Sequence, residues 1–287
     1  MDVRQLRYFL AVVDHGSVHR AARELFVAQP SVSQALRALE RDLGAELFHR
    51  TGRRLVLTAA GEGLVEPARD VLAGLRLARD TVEAVEGLRG GRLLISAMPS
   101  QAVSPLAGMI GRFAARHPDV EVVVRAGATP PEVLDAVRVG AAELGVLGAA
   151  RRPEPAGMVV TPLATQRFVL VAAAPGDLPA GGPVSPAALA GVRLIAGQRG
   201  TVMRRAADDI VRAAPGSRIA VEVEHREAVL PLVLAGVGVA VLSESWRQLA
   251  LDAGLAVRDL DSPEVLHVCL VHRTGRLSPA AREFTNQ

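Results

Sequence analysis

Apolar residues recur with a helical period from the first turns of the chain. Val3, Leu6, Phe9, Leu10 and Val13 fall on one face of a helix over residues 3–15. Between Ser17 and Leu43 two shorter amphipathic patterns follow around a tight corner. Ser17 is placed to cap the first, whose apolar face is Ala21, Ala22 and Leu25, and Phe26 and Val27 are expected to bury the corner. Pro30 fits only a first helical turn, so a new helix starts near Gln29, with Val32, Ala35, Leu36 and Leu39 on its apolar side and Gly44 as its C-terminal cap. Residues 45–57 read as two short strands around Thr51-Gly52-Arg53, and Thr58 caps the next element. From Ala59 to Leu88, the residues Leu64, Ala68, Val71, Leu75, Ala78, Val82 and Val85 alternate at spacings of four and three. That is a narrow seam suited to pairing with a second helix, and Pro67 predicts a slight bend.

After a hinge over residues 87–92 the pattern changes to strands alternating with helices. Strands are expected at 93–97, 120–125, 144–147, 159–163, 168–173, 219–224 and 239–242. Helices are expected at 106–116, 131–139, 186–190, 201–213 and 226–235. Such alternation predicts an α/β domain with mainly parallel sheets, folded as two small lobes with the chain crossing twice between them.

Length and composition narrow the class. The 287 residues suffice for two or three compact units, and 49% apolar content excludes a disordered chain. The opening MDVRQLRYF carries early charge and no long apolar run, so neither a signal peptide nor a membrane span is expected there. The apolar runs at 167–174 and 229–242 are short or glycine-interrupted and fit core elements. A single cysteine, Cys269, excludes an internal disulfide and a cysteine-based zinc site, and the expected compartment is a reducing cytoplasm.

Charge adds a location. All 33 basic residues are arginine, a usage that fits GC-rich codons. Residues 1–60 hold 9 Arg against 6 acidic residues, whereas the remainder is balanced, so the whole surplus of +3 sits in the first segment. That is the footprint of phosphate contact. The polar side of the helix starting near Gln29 carries Gln29, Pro30, Ser31, Ser33, Gln34 and Arg37, which suits base edges and phosphates in a major groove. Arg50, Arg53 and Arg54 tip the following hairpin as a wing along the sugar–phosphate backbone. Arg4 and Arg7, on the first helix, are open equally to phosphate and to solvent. The competing reading of the corner is a solvated pair of helices without a DNA role.

These residues carry a family resemblance. The first 60 or so positions resemble a LysR-type transcriptional regulator, a bacterial family. The match rests on Phe9, Gly16-Ser17, Ala21-Ala22, Gln29-Pro30, Ser33, Leu39-Glu40, Leu43-Gly44, Leu47-Phe48, Arg50, Thr58 and Gly61. Weaker likeness continues through GRLLISAMPS, FAARHPDVEV, LAGVGVAVLSESW and LSPAAREF. The resemblance implies a winged helix-turn-helix DNA-binding domain over 1–58 and a linker helix over 59–89. It also implies a two-lobed effector-binding domain over 90–287 like type 2 periplasmic binding proteins, with lobe I at about 92–163 and 266–287 and lobe II at about 164–265. It implies Gln29, Pro30, Ser33 and Gln34 in the groove, Arg53 at the wing, and dimerisation through the seam. Paired reading heads imply a dyad-symmetric promoter site in double-stranded DNA. Family members are commonly homotetramers, and contact with RNA polymerase is open. Ala28 departs from the family pattern: serine or threonine usually stands there to cap the recognition helix.

Ligands of such sheets bind beyond the carboxyl ends of the strands. Ser100 with Gln101 follows the first strand, Thr129 follows the second, and Gly200-Thr201 opens the helix containing Met203 and Arg204. Each threonine serves equally well as an ordinary cap. Gly148 and Ala149 leave room, and helix N-termini suit a small organic acid as effector. Elsewhere, Gly236-Val237-Gly238 lies between a helix and a strand in the wrong order for a phosphate loop. His225 reads as a polar edge residue, His267 and His272 fall on opposite faces of a strand, and Cys269 reads as a buried hydrophobe. No catalytic residue, metal site or cofactor is expected. The rival reading is a cytoplasmic α/β enzyme or solute-binding protein with an N-terminal helical assembly module.

Overall fold

The computed structural model of the chain describes residues 1–51, 54–85 and 91–287. It divides into two compact units, Met1–Leu88 and Arg89–Gln287.

The first unit begins with α1 (Val3–His15), capped by an Asp2–Gln5 box in which each backbone N–H is received by the other's side chain at 2.6–2.8 Å. Ser17 caps α2 (Val18–Glu24) and receives the Arg20 N–H at 3.2 Å. Ala21 and Ala22 are buried, leaving α1 and α3 (Gln29–Leu43) close to the α2 backbone. The corner between α2 and α3 corrects one expectation: Phe26 is 93% exposed. The Val27 N–H returns to Ala22 O at 3.0 Å and the Phe26 N–H to Arg23 O at 3.1 Å, a Schellman closure. Its C′ residue must be left-handed, and Phe26 has φ +53°, which turns the ring outward; Leu25 and Val27 pack on the core instead.

Strands β1 (Phe48–Thr51) and β2 (Arg54–Leu57) pair antiparallel, with Thr51 opposite Arg54. The hairpin joins α4 (Ala59–Val85) through Thr58, whose Oγ1 donates to Glu46 O at 2.7 Å and receives the Gly61 N–H at 2.9 Å. Arg69 ties α4 to α1 through Asp14 at 2.9 Å. The seam divides. Ala68 is buried against the core formed by Phe9, Leu39 and Leu47, so its own domain takes it up, while Leu64 packs on the same core and stays half-buried. Val71 and Ala78 are exposed and Leu75 half-exposed; the side chains of Val82 and Val85 lie outside the described set.

The second unit holds two five-stranded sheets. The first runs β4 (Glu121–Ala126), β3 (Arg92–Ala97), β5 (Leu144–Ala149), β12 (Leu266–Arg273), β6 (Met158–Gln166). The second runs β11 (Ala256–Asp259), β7 (Phe168–Ala172), β10 (Val239–Ser243), β8 (Arg193–Gly197), β9 (Arg218–Val223). The chain passes from the first sheet to the second after β6 and returns before β12. In each sheet four of the five strands run in one direction, so both are mainly parallel as expected, with one reversed strand. Three neighbouring strands pair parallel in each sheet, and the reversed strand, β12 in the first and β7 in the second, pairs antiparallel with both of its neighbours.

Helices α6 (Ala107–Arg116) and α7 (Pro130–Arg138) belong to the first sheet. Successive residues of β12 alternate between its two faces: Val268 and Leu270 join the main core, while Cys269 and Val271 meet Val133 and Val137 of α7. Around the second sheet lie α8 (Val202–Ala213), α9 (Val229–Leu234) and α10 (Arg247–Asp252), and the chain closes with α11 (Pro279–Thr285). The helix expected at 186–190 is a single 3₁₀ turn, Pro186–Ala188. Among the described residues no helix is long and apolar enough to cross a membrane.

Candidate functional site

On α3, the inward stripe Val32, Ala35, Leu36 and Leu39 is buried. Gln29, Pro30, Ser31, Gln34 and Arg37 are exposed on the outward side and Ser33 is half-buried. Pro30, Ser33, Gln34, Arg37 and Arg41 line one open trough beside the helix. The sequence reading missed Arg41, although a spacing of four from Arg37 puts it on this stripe; its Nε donates to Arg37 O at 3.3 Å. Ala28 has extended geometry (φ −69°, ψ 138°) and offers no side-chain acceptor, so α3 starts uncapped. Arg50 and Arg54 fall on β1 and β2, and Arg53 lies outside the described residues.

In the second unit, Ser100, Gln101, Thr129, Gly148, Gly200, Thr201 and Met203 all line one cavity of about 360 Å³. Their chemistry differs from the sequence reading. The helix after β3 is a single turn, α5 (Pro99–Gln101), which ends at a kink where Ser104 is extended, so no long helix dipole points at a ligand there. Ser100 is buried, and its Oγ receives the Trp246 Nε1–H at 3.1 Å; Trp246 follows β10 of the other sheet. The hydroxyl proton of Ser100 remains to be donated. Thr129 caps α7 and donates to Glu132 Oε1 at 2.9 Å, while Thr201 caps α8 and donates to Gln198 O at 3.0 Å. Both threonines are therefore committed as caps. A Cβ on Gly148 would lie 2.8 Å from Gln101 Nε2 and 2.7 Å from Leu266 Cδ2, so the glycine keeps that wall open.

Two further groups give the cavity its character. Gln101 is fully buried, and neither its Oε1 nor its Nε2 has a partner among the described residues. Arg226, which the sequence reading passed over, lines the same cavity and is 8% exposed. Burial brings its guanidinium down to about 10. Nothing in the local sequence marks it, because neighbouring His225 is exposed and pairs with Glu227, as an edge residue would.

Comparison with known proteins covers both units. Residues 3–62 match the model for "Bacterial regulatory helix-turn-helix protein, lysR family", and residues 86–287 match "LysR substrate binding domain". The HTH-type transcriptional regulator IlvR of Caulobacter vibrioides is 34% identical over 97% of this chain and 94% of its own length. A RuBisCO operon transcriptional regulator of Acidithiobacillus ferrooxidans is 30% identical over 98% and 91%. Among solved structures, a full-length OxyR variant from Pseudomonas aeruginosa aligns with a TM-score of 0.67 at 23% identity over 99% of this chain and 92% of that one. Full-length CbnR complexed with its target DNA aligns at 0.60 and 25% identity, covering 100% and 98%.

Proposed function

Because the chain belongs to the LysR family of bacterial helix-turn-helix regulators, we propose a division of labour among its residues. The chain is a DNA-binding transcriptional regulator with an effector-binding domain, in a family of regulators rather than enzymes. Within that function, Gln29, Ser31, Ser33 and Gln34 read base edges from the major groove, with Pro30 setting the helix start. Arg37, Arg50, Arg53 and Arg54 hold the phosphate backbone. Two chains associate through the later turns of α4, at Val71, Leu75, Ala78, Val82 and Val85, and present two reading heads to a dyad-symmetric promoter site. Two such dimers form the homotetramer, and RNA polymerase is its target at the promoter. The site of action is the cytoplasm.

The observation that carries this reading is the two-sidedness of α3: one stripe buried, the other carrying Gln29, Ser31, Gln34 and Arg37 outward within a helix-turn-helix. A gel shift on DNA from upstream of the chain's own gene tests it. Arg53→Ala should weaken binding across all sequences and lower its salt dependence, whereas Gln29→Ala and Gln34→Ala should relax base preference. Equal loss of affinity for every sequence in all three variants would defeat the assignment.

A further inference from the structure

Buried arginines are ordinarily matched by carboxylates, because a guanidinium removed from water without an opposite charge is costly. Arg204, on α8, follows that rule: its Nε meets Asp208 at 2.9 Å and its Nη1 meets Glu222. Arg226 does not. Among the described residues its one polar contact is the Met203 Sδ, 3.2 Å from Nη1. It lies across Gly197 at the end of β8, where even a Cβ would stand 2.9 Å from Nη2. The backbone there is thus shaped around the guanidinium. Arg205 and Arg199 also border the cavity, Arg205 paired with Glu264 at 3.3 Å, and among the described residues no carboxylate lines it.

The same cavity is lined, on the stretch that follows β3, by Gln101, whose amide has no partner among the described residues, and by the Ser100 hydroxyl with its proton to give. Apolar side chains complete the lining, among them Met98, Pro131, Val202 and Leu266. A volume of about 360 Å³ lies at the small end of ligand cavities.

We infer that the effector is a small organic carboxylate with a short apolar body, whose anionic end pairs with Arg226 while a polar group at its other end meets Gln101 and Ser100. A guanidinium receives a carboxylate through two parallel N–H donors, which adds orientation to attraction. Such a ligand touches groups that follow strands of both sheets at once, so its binding favours whichever relative placement of the two brings them together. The proposal rests on the regulator reading for its biological purpose and on Arg226 and Gln101 for its chemistry.

Thermal unfolding of the full chain tests it, with sodium butyrate, sodium succinate and sodium benzoate as probes. Their neutral amides, sodium phosphate and sodium chloride serve as comparisons. At least one carboxylate should raise the Tm of the wild type above the chloride value, with its amide and phosphate without effect. Arg226→Met should melt at or above the wild type in chloride, since it removes an unpaired buried charge, and should lose the carboxylate response. Arg226→Lys should retain part of it. The inference is overturned if no carboxylate exceeds chloride, if amides or phosphate act as strongly, if Arg226→Met keeps the response, or if that variant melts early without ligand. A parallel gel shift separates the two readings: loss of specific DNA binding removes the regulator role and leaves the anion site standing.

Discussion

Arg204 and Arg226 show at single-residue scale how surroundings set the worth of a charge. Hydrogen bonds to Asp208 and Glu222 raise the Arg204 pKa, so its burial is compensated. Burial alone lowers that of Arg226 to about 10, a drop equivalent to roughly 3 kcal/mol against the folded, unliganded state. The folded-state value is depressed, so both states are protonated at neutral pH and the penalty is fully present there. It is relieved only as pH rises through about 10, where the unfolded chain binds more protons. Two other residues carry smaller penalties in the reading head. Ala28 leaves α3 uncapped with a backbone already suited to a capping serine, so Ala28→Ser should stabilise the first unit by about 0.5–2 kcal/mol. Phe26 holds a left-handed conformation that glycine adopts freely, so Phe26→Gly should add roughly 1 kcal/mol. Slower amide hydrogen exchange along α2 and α3 would register both gains, and faster exchange would contradict them.

Glycines of α4 make the corresponding argument at the scale of an element. A Cβ at Gly61 would stand 2.2 Å from Leu47 O, because the first turn of α4 lies directly on the chain entering β1. Gly63, one turn's edge away and exposed, has nothing within 4 Å of that position. Gly61→Ala should therefore destabilise the first unit by about 1–3 kcal/mol through overpacking, whereas Gly63→Ala should stabilise it by about 1 kcal/mol through helix propensity alone. Urea melts of the two variants should shift in opposite directions. What the sequence disclosed follows the same division between local and distant causes. Helix periods, the Ser17, Thr129 and Thr201 caps and the Gly44 stop are set by near neighbours, and all were legible. The outward turn of Phe26, the inward turn of Ala68 and the reversed strand inside each sheet depend on what packs from elsewhere in the chain, and they were not. The cavity was half legible. Its glycines and serine lie at strand ends, where pattern leads, but Arg226 is known to be buried only once β8 and α8 enclose it.

At the scale of the whole second unit, one hydrogen bond ties the residue after β3 to the segment after β10. Trp246 is the chain's single tryptophan, buried, and its Nε1–H reaches Ser100 Oγ at 3.1 Å across the two sheets. The indole is thus a native reporter of how the sheets sit beside the cavity. Ser100→Ala would leave that N–H buried without an acceptor, which costs about 1–3 kcal/mol. The variant should melt earlier, and its fluorescence should move to shorter wavelength as the indole loses its polar partner. A ligand whose far polar group accepts a hydrogen bond from the Ser100 hydroxyl leaves the oxygen lone pair facing Trp246 intact and makes it a stronger acceptor, through the mutual polarisation of linked hydrogen bonds. Ligand should therefore shift wild-type emission to longer wavelength and leave Ser100→Ala emission unmoved. Arg226→Met, which keeps the Trp246–Ser100 bond, should match the wild type without ligand and fail to shift with it. An emission change that survives in both variants would mean that the ligand reaches the tryptophan by a route other than this cavity.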